Sequence, residues 1–373
     1  MNNIIRLLCA SIMAIIVVQT DVNPALAAYR FSSFRGRPPI HQFGGISDQP
    51  QGLTPDQVKA AYHLPSSGGQ GTIAIIGAYN DPTIADDLNV FSTQFHLPAC
   101  TTANGCFIKH VIGAAKSNAG WAMETSLDVE WAHAIAPQAR ILLVAATTPS
   151  GKNLLDAIDY ARSRPNVVAV SMSWGGGEFP DETKLDNHFQ SPNNQITFFA
   201  SSGDNGAGAS WPAASPNVVA VGGTHLLFTA NGTVHSESAW AGSGGGVSAY
   251  EPEPAYQRDY AINKAQAHRA IPDVAYNADP SSGFSIYRAS GKSKKGWYVV
   301  GGTSAGAPQW AAIKALGLAA DNDKFYADKA TTNNGSFFRD IRSGTNGDCG
   351  YYCVARKHYD YVTGLGSPLT TTF

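Results

Sequence analysis

Residues 301–308 read GGTSAGAP and lead into an apolar run, Gln309–Ala320, that predicts a helix. Ser304 therefore stands among glycines and small residues at the start of a helix, where backbone N–H groups lie close to its hydroxyl. The glycines leave room for the backbone of a substrate to approach. The stretch is either the site of a nucleophilic serine or a tight turn before a buried helix, and other residues must decide between the two.

A serine nucleophile needs a base, and two carboxylates are candidates. Glu124 and Asp128 lie four residues apart in WAMETSLDVEWAHAIAP, residues 121–137, so a helix would place both on one face. The surrounding residues are mostly apolar or small, which predicts a buried helix rather than a solvated face. Two buried carboxylates at this spacing share a proton, which raises one pKa and leaves the other oxygen able to act as a base.

A third carboxyl group follows the apolar run Ile196–Ala200. Asp204 stands in SSGDNG, residues 201–206, and loops after buried parallel strands are where α/β sheets place their chemistry. The composition also suits an ordinary turn. If Asp204 faces a reacting carbonyl it must be protonated, because an ionised carboxylate would repel the oxyanion. That requirement predicts activity at acidic pH.

In combination these stretches resemble the sedolisins, the serine-carboxyl peptidases, over roughly Leu53–Pro368. The resemblance implies a subtilisin-like fold in which Ser304 is the nucleophile, Glu124 the base, Asp128 its proton-sharing partner and Asp204 the oxyanion donor. Further stretches agree in order: LTPDQVKAAYHLP from residue 53, SMSWGGG from residue 171, WPAASPNVVAVGGT from residue 211, GSGGGVSAYEPEPAYQ from residue 242 and PDVAYNADPSSGFSIY from residue 272.

The resemblance also implies a peptide-binding cleft and a calcium site. An extended peptide would pair with the strand end at Ser173, Trp174 and Gly175, beside a pocket wall that includes Gly245 and Gly246. One structural Ca²⁺ would be held near the C-terminus, in about 338–368. Ca²⁺ takes six to eight oxygen ligands. The expected ligands are the side chains of Asp340 and Asp360 and the carbonyls of Ile341, Arg356 and His358, with a plain Asp-rich turn as the alternative.

Hydrophobic patterns alternate along the chain. They predict strands at Thr72–Ala78, Ile141–Ala146, Val167–Trp174 and Ile196–Ala200, and helices at Thr83–Phe95 and Lys152–Arg164. Apolar strands separated by helices predict an α/β fold with a mainly parallel central sheet flanked by helices. We expect a single large catalytic domain over residues 53–373, preceded by a short flexible leader over residues 28–52.

The N-terminus reads as an export signal over residues 1–27. Arg6 precedes the apolar stretch Leu7–Val18, and Pro24–Ala27 ends in a cleavage pattern, with an uncleaved anchor as the alternative. We therefore expect a secreted or periplasmic protein with no membrane contact after cleavage. Its formal net charge is −2 and it has no long basic run, so nucleic acid is not an expected partner. We expect a monomer that acts on protein or peptide substrates.

Four cysteines remain after the signal, in two close pairs. The simplest connectivity joins Cys100 to Cys106 and Cys349 to Cys353, in keeping with an oxidising compartment. Metal-binding thiols are the alternative, although the spacing does not suggest a zinc quartet.

These features predict a secreted, acid-active serine-carboxyl endopeptidase that forms an acyl-enzyme on Ser304. Three alternatives stay open: a neutral subtilisin-like protease with His133 as the base, a tripeptidyl exopeptidase of the same family, and a calcium-stabilised binding protein without activity. A base with an ordinary histidine pKa would place maximal activity near neutral pH, so a pH–rate profile separates the first alternative from the rest.

Overall fold

A computed structural model describes residues 31–191, 195–289, 295–327 and 337–369. The helices in this part of the chain are α1 (Pro55–Ala61), α2 (Ile84–Gln94), α3 (Ala119–Ile135), α4 (Gly151–Arg162), α5 (Ala255–Tyr260), α6 (Gly306–Ala315) and α7 (Asn322–Ala327). The strands are β1 (His41–Ser47), β2 (Thr72–Ala78), β3 (Phe107–Val111), β4 (Arg140–Ala146), β5 (Val167–Met172), β6 (Gly176–Gly177), β7 (Thr197–Ser201), β8 (Ser210–Trp211), β9 (Val218–Phe228), β10 (Val234–Ala239), β11 (Gly246–Pro252), β12 (His268–Ile271), β13 (Val274–Asn277), β14 (Phe284–Arg288), β15 (Gly296–Gly301), β16 (Phe338–Arg339) and β17 (Ser367–Pro368).

Eight of these strands form the central sheet. Its order is β10-β9-β7-β5-β2-β4-β3, with β13 beside β9. Every neighbouring pair is parallel except β10 with β9. The predicted α/β class and the mainly parallel sheet flanked by helices in one domain are confirmed.

Helices cover both faces of the sheet, which is why its strands are apolar without interruption. Successive residues of β2 point to opposite faces, so Ile73 and Ile75 lie in one hydrophobic cluster and Ala74 and Ile76 in another. Helices α2, α3 and α6 pack on the first face, and α4 packs on the second. The amphipathic pattern predicted for Lys152–Arg164 belongs to α4.

Helix α3 is the central element of the first face. Its N-terminus is capped by Asn118, whose side chain accepts from the backbone N–H groups of Gly120 and Trp121. Nearly every residue of α3 from Trp121 onward is buried, which an amphipathic surface helix would not allow. Polar side chains on α3 are therefore held away from water.

Helix α6 begins earlier and ends earlier than the apolar run Gln309–Ala320 predicts. A 3₁₀ turn, Thr303–Ala305, leads directly into its first residue, Gly306. Gly317, with φ of 89°, follows the C-terminal end. A positive φ stops a right-handed helix, and glycine adopts it without strain.

The segment expected to be a flexible leader is instead structured from residue 31 onward. Strand β1 pairs antiparallel with β15, so that His41 lies opposite Gly301. Backbone pairing with an existing strand, which local sequence does not reveal, overrides the loop-like composition of this segment. The part from Phe31 to Ser47 is called the arm below.

Both predicted cysteine pairs are disulfides. Cys100 bonds Cys106, and Cys349 bonds Cys353, with Cα–Cα distances of 4.9 and 5.2 Å. The predicted signal peptide lies outside the described residues. Within the ranges given above, each helix is too short or too polar to reach across a bilayer.

Candidate active site

Ser304 stands at the turn between β15 and α6, as the sequence predicts. It is fully buried, and its hydroxyl oxygen lies 3.0 Å from Glu124 Oε2. Gly302 precedes it with φ of +127°, and a Cβ there would meet the carbonyl oxygen of Pro39 at 2.0 Å. Glycine is therefore required at residue 302 both for its conformation and for the close approach of another chain segment.

Helix α3 carries two buried carboxyl groups that influence each other's protonation. Glu124 and Asp128 lie one turn apart and are both 1% exposed. Burial, followed by the neighbouring Asp128, raises the pKa of Glu124 well above its usual range. Burial also raises the pKa of Asp128, which the hydroxyl of Ser173 opposes by donating to Oδ1 at 2.6 Å. One proton on the pair removes the repulsion between two buried charges.

Asp204 is held next to Ser304 by hydrogen bonds from the preceding residue, Thr303. Its Oδ1 accepts from the Thr303 N–H and from the Thr303 hydroxyl, each at 2.8 Å. The Thr303 hydroxyl itself accepts from Gly203 N–H, so its proton must point at Asp204. Burial raises the pKa of Asp204, and the nearby His41 lowers it. The second oxygen, Oδ2, faces His41 Nε2 at 3.1 Å.

The sheet brings these groups together from distant parts of the chain. Ser173 follows the end of β5 and Asp204 follows the end of β7, and these two strands are parallel neighbours. The carboxyl ends of parallel strands share one edge of a sheet, which is where α/β folds place reactive groups. Helix α3 crosses this edge with Glu124 facing Ser304.

His133 lies far from the candidate nucleophile. It follows Glu124 by nine residues on α3, about 13 Å along the helix axis. Its Nε2 bonds the carbonyl oxygen of Pro98 at 2.8 Å, and burial lowers its pKa to about 4. The geometry therefore gives no support to a mechanism with His133 as base.

The residues predicted to bind substrate divide into two groups. Gly175 lies in the cleft, where its backbone N–H and carbonyl both pair with the backbone of Arg37. Trp174 is fully buried against the ring of Phe34 and donates through Nε1 to the Ile76 carbonyl. The side chain of Ser173 is buried and donates to Asp128, a contact that the sequence did not predict.

Two glycines of the predicted pocket wall take part in backbone pairings. Gly245 pairs with Gly208, and a Cβ on it would meet the Tyr361 carbonyl oxygen at 1.9 Å. Gly246 pairs with Ile271 in a separate two-stranded sheet. Gly245 therefore serves close backbone packing, whereas a Cβ on Gly246 would meet no atom nearer than 3.6 Å. Gly244, which directly precedes them, lines the cleft.

The cleft has a volume of about 600 Å³, and its walls include residues that no sequence pattern predicts there. Arg35, Arg37 and Pro39 of the arm line it, together with Asp204. Ser304 Oγ donates to the Pro39 carbonyl oxygen at 2.5 Å. The composition of the arm carries no signal for this placement beyond Pro38-Pro39, which favours an extended backbone.

The predicted calcium ligands lie in adjoining loops. Asp340 Oδ2 accepts from the His358 N–H at 3.2 Å, and Asp360 Oδ2 accepts from the Arg356 N–H at 3.1 Å. The N–H groups of residues 356 and 358 thus face the carboxylates. Among the described residues, buried Asp340 Oδ1 has no hydrogen-bond partner, which leaves an anionic oxygen available to a cation. Ile341 is buried in a small apolar cluster beside it.

Two arginines lie beside the predicted calcium ligands. The Arg342 guanidinium forms an ion pair with Asp340 Oδ2 at 2.8 Å. The Arg356 guanidinium lies over the ring of Tyr351, 4.0 Å from its centre, and so points away from the carboxylates. Both oxygens of Asp360 accept hydrogen bonds, so Asp340 Oδ1 is the one carboxylate oxygen of this set, among the described residues, that is available to a cation.

Comparison with known proteins agrees with this geometry. A sequence profile described as "Subtilase family" matches residues 110–334, more than half of the chain. Kumamolisin of Bacillus sp. (strain MN-32) is 31% identical over 371 residues, which cover 87% of this chain and 63% of kumamolisin. The structure of Pseudomonas sedolisin, a serine-carboxyl proteinase complexed with pseudo-iodotyrostatin, aligns with a TM-score of 0.71 and 26% identity over 86% of this chain and 96% of that one. The chain belongs to the subtilase family, in its sedolisin branch.

A further relative of this sedolisin-type chain is tripeptidyl-peptidase 1 of Canis lupus familiaris, 26% identical over 400 residues that cover 90% of this chain and 66% of the relative. The chain spans less than two thirds of the length of the curated relatives it matches. The assignment of this chain to a family of serine-type peptidases therefore rests on the part of the relatives that it covers.

Proposed function

We propose that this sedolisin-type chain is a serine-carboxyl endopeptidase that is active in acid. The observation that carries the proposal is the 3.0 Å contact between Ser304 Oγ and Glu124 Oε2, beside Pro39 in the wall of the cleft. A carboxylate at hydrogen-bond distance can take the hydroxyl proton as the hydroxyl attacks. Asp128 would stabilise that proton, because its buried carboxyl group lies one turn along α3 and raises the pKa of Glu124.

The proposed reaction has two halves. In the first, Ser304 Oγ attacks the substrate carbonyl, Glu124 accepts its proton, and the same proton passes to the leaving amine as the peptide bond breaks. In the second, water attacks the acyl-enzyme with Glu124 again as base. Asp204 donates a hydrogen bond from protonated Oδ2 to the oxyanion in both halves.

The requirement for a protonated Asp204 sets the direction of the pH dependence. Burial keeps the pKa of Asp204 above its ordinary value, so the acid form persists somewhat beyond the range of an exposed aspartate. Activity is then lost as pH rises through that pKa. At the acid end of the pH profile, activity is lost when Glu124 and Asp128 are both protonated, because no carboxylate is then left to act as the base.

The test is Glu124→Gln, with Glu130→Gln as its matched control. Glu130 is a buried glutamate on the same helix, but its Oε2 accepts from the Tyr287 N–H instead of facing Ser304. Cleavage of an acid-denatured protein should fall by roughly a thousandfold in the first variant, since a general base contributes 10²–10⁴. The control should keep activity close to that of the unsubstituted chain. Cleavage within tenfold of normal in Glu124→Gln would remove the assigned base.

The path of the arm favours an endopeptidase over a tripeptidyl exopeptidase. An enzyme that releases tripeptides needs a cleft that closes three residues before the bond it cuts. In this structure the backbone of the arm runs from Pro39 back to Phe34 and Phe31 on one side and forward through β1 on the other. A cleft that holds backbone on both sides of the nucleophile accepts the middle of a chain. Mass spectrometry of the products should therefore show internal cuts.

The binding-protein alternative predicts an unreactive serine. A peptide aldehyde at acidic pH should add to Ser304, and intact-mass analysis would detect one adduct. Absence of the adduct in folded protein would favour a chain without activity.

We also propose one structural Ca²⁺ at Asp340, Ile341, Arg356, His358 and Asp360. When bound, the ion would neutralise the two carboxylates and hold their loops together. A chelator should lower the unfolding temperature, and added Ca²⁺ should restore it. Asp340→Asn should abolish this dependence, whereas Asp348→Asn, an exposed aspartate nearby, should keep it. An unfolding temperature that the chelator leaves unchanged would contradict the site.

Export to a secreted or periplasmic compartment is proposed on the same footing. The two disulfides support an oxidising location. Terminal sequencing of exported protein should place the first residue near Ala28, and a mature chain that retains residues 1–27 would contradict cleavage.

A further inference from the structure

The proposed reaction assigns no role to the hydroxyl of Thr303, the residue directly before the nucleophile. Thr303 is fully buried. Its hydroxyl accepts from the Gly203 N–H at 3.1 Å and donates to Asp204 Oδ1 at 2.8 Å. One side chain therefore joins the turn that carries Ser304 to the loop that carries Asp204, although the two segments lie about 100 positions apart in the chain.

The side chain of Thr303 is held in one orientation. Its methyl carbon, Cγ2, lies beside Gly223, where an added Cβ would be 3.3 Å from it. The Gly203 N–H occupies one acceptor position of the hydroxyl oxygen, and an N–H can only donate. The single hydrogen of the hydroxyl is therefore left for Asp204. The methyl group and the hydroxyl cannot exchange places without the loss of both hydrogen bonds.

The two oxygens of Asp204 consequently differ. Oδ1 accepts from the Thr303 hydroxyl and from the Thr303 N–H, each at 2.8 Å. A proton on Oδ1 would meet the hydrogen of the hydroxyl, so that one of these hydrogen bonds would be lost. Oδ2 receives no hydrogen bond from Thr303 and faces His41 Nε2 at 3.1 Å. The acid form of Asp204 is thus more stable with its proton on Oδ2.

We propose that Thr303 is a positioning residue, whose hydroxyl places the proton of Asp204 on Oδ2, the oxygen that donates to the oxyanion. The inference rests on the proposed peptidase function and adds to it a residue that acts through Asp204 without contact to the reacting atoms. In a chain without this hydroxyl, the acid form would carry its proton on either oxygen and the carboxyl group would be free to turn. Part of the molecules would then offer no donor to the oxyanion.

The same hydrogen bond influences the pH at which Asp204 loses its proton. Burial raises the pKa of Asp204, and hydrogen bonds from His41 and from Thr303 lower it, because they stabilise the ionised form. Glu124 is a further titratable group near it, since Asp204 contributes to the raised pKa of Glu124. Loss of the Thr303 hydroxyl should raise the pKa of Asp204 by about one pH unit, the size expected for one hydrogen bond to a charged group.

The kinetic test is Thr303→Val, with Thr224→Val as its matched control. Thr224 is also fully buried, and its hydroxyl donates to another carboxylate, Glu237, at 2.6 Å. Thr303→Val should lower kcat about tenfold with KM little changed. Activity is lost as pH rises through the pKa of Asp204, so a raised pKa should move this loss about one pH unit higher. The control should change neither quantity.

Nuclear magnetic resonance reads the proton of Asp204 without turnover. Full-length chains with Ser304→Ala are labelled with ¹³C, and the carboxyl resonance of Asp204 is identified by its loss in Asp204→Asn. Asp204 should titrate about one pH unit higher in a chain that also carries Thr303→Val than in the parent. Thr303→Ser should restore the titration of the parent, because serine keeps the hydroxyl. The difference should persist when His41→Gln removes the imidazole beside Asp204.

The outcomes separate the role of Thr303 from the proposed activity. Equal titrations of Asp204 in the parent and in Thr303→Val would overturn the inference, and so would a Thr303→Ser chain that behaves like Thr303→Val. Thr303→Ala, which also lacks the hydroxyl and is smaller, replaces the valine variant if that chain does not fold. If the titrations differ as expected while chains with intact Ser304 cleave nothing, the proposed peptidase function fails and the effect of Thr303 on the Asp204 proton stands.

Discussion

Replacement of Asp204 offers a sharp test of how the oxyanion is stabilised. Asp204→Ala removes the donor entirely. Loss of one oxyanion donor costs about 10²–10³ in kcat, or about 2.7–4 kcal/mol of transition-state stabilisation. We expect a loss of that size in kcat/KM at the acid optimum, with KM changed much less.

Asp204→Asn should behave differently, because the structure fixes the orientation of the new amide. The Thr303 N–H and hydroxyl both donate to Oδ1, so the amide oxygen must face them. The amide nitrogen then takes the place of Oδ2 and offers an N–H to the oxyanion at every pH. Activity at the acid optimum should fall by less than about tenfold, since one uncharged donor replaces another.

The pH profile distinguishes this mechanism from simple loss of structure. In the unsubstituted chain, activity falls as pH rises through the elevated pKa of Asp204. In Asp204→Asn that limb should move to higher pH, where Glu124 and Asp128 lose their shared proton. The assay is kcat/KM for an internally quenched peptide from about pH 3 to about pH 8, with circular dichroism at each pH as the control for folding. An alkaline limb at the same pH in both proteins would refute the role of the Asp204 proton.

Three further predictions concern neighbouring groups and stability. Ser173→Ala should lower kcat roughly tenfold with KM unchanged, because it removes a hydrogen bond of about 1.5 kcal/mol to Asp128. The loss of activity on the acid side of the pH profile should also shift to higher pH. An unshifted acid side would show that Ser173 only fills space. Arg269→Met should lower the free energy of unfolding by about 3–5 kcal/mol, because it leaves the fully buried Asp273 without the guanidinium of its ion pair. Lys152→Met, which removes an exposed ion pair, should cost less than about 1 kcal/mol in the same denaturant titration. Similar losses in the two variants would contradict the prediction. Thermal stability should decrease from acid to alkaline pH, because buried carboxyls such as Glu182, whose pKa burial raises to about 9, hold protons that the unfolded chain releases above about pH 4; a melting temperature that rises over this range would disprove it.

Local sequence predicted the framework of the sheet well. The unbroken apolar run Thr72–Ala78 is β2 without change, and the amphipathic run after residue 150 is α4 within two residues at either end. Both elements could be predicted because their hydrophobic periodicity is a property of residues that are neighbours in the chain. The site residues were predicted from residue type: a serine among glycines and two acids four apart.

Features that depend on contacts between distant segments could not be predicted from the sequence. The hydrogen bond from the Ser173 hydroxyl to Asp128 joins two distant elements, and no local pattern indicates it. The close approach of the Tyr361 carbonyl to Gly245 is likewise a contact between distant segments. The arm was predicted to be flexible, because nothing in its composition indicates that β15 offers it an edge.

The sequence by itself determined which chemical groups stand at the ends of strands and helices, since these follow from local patterns of apolar and small residues. Only the tertiary structure decided their protonation and their partners. A carboxyl group gains its unusual proton affinity from lost water and from a second carboxyl, and both come from packing across the sheet. The same packing decided that the cleft is filled by Pro39, a residue 265 positions before the serine it contacts.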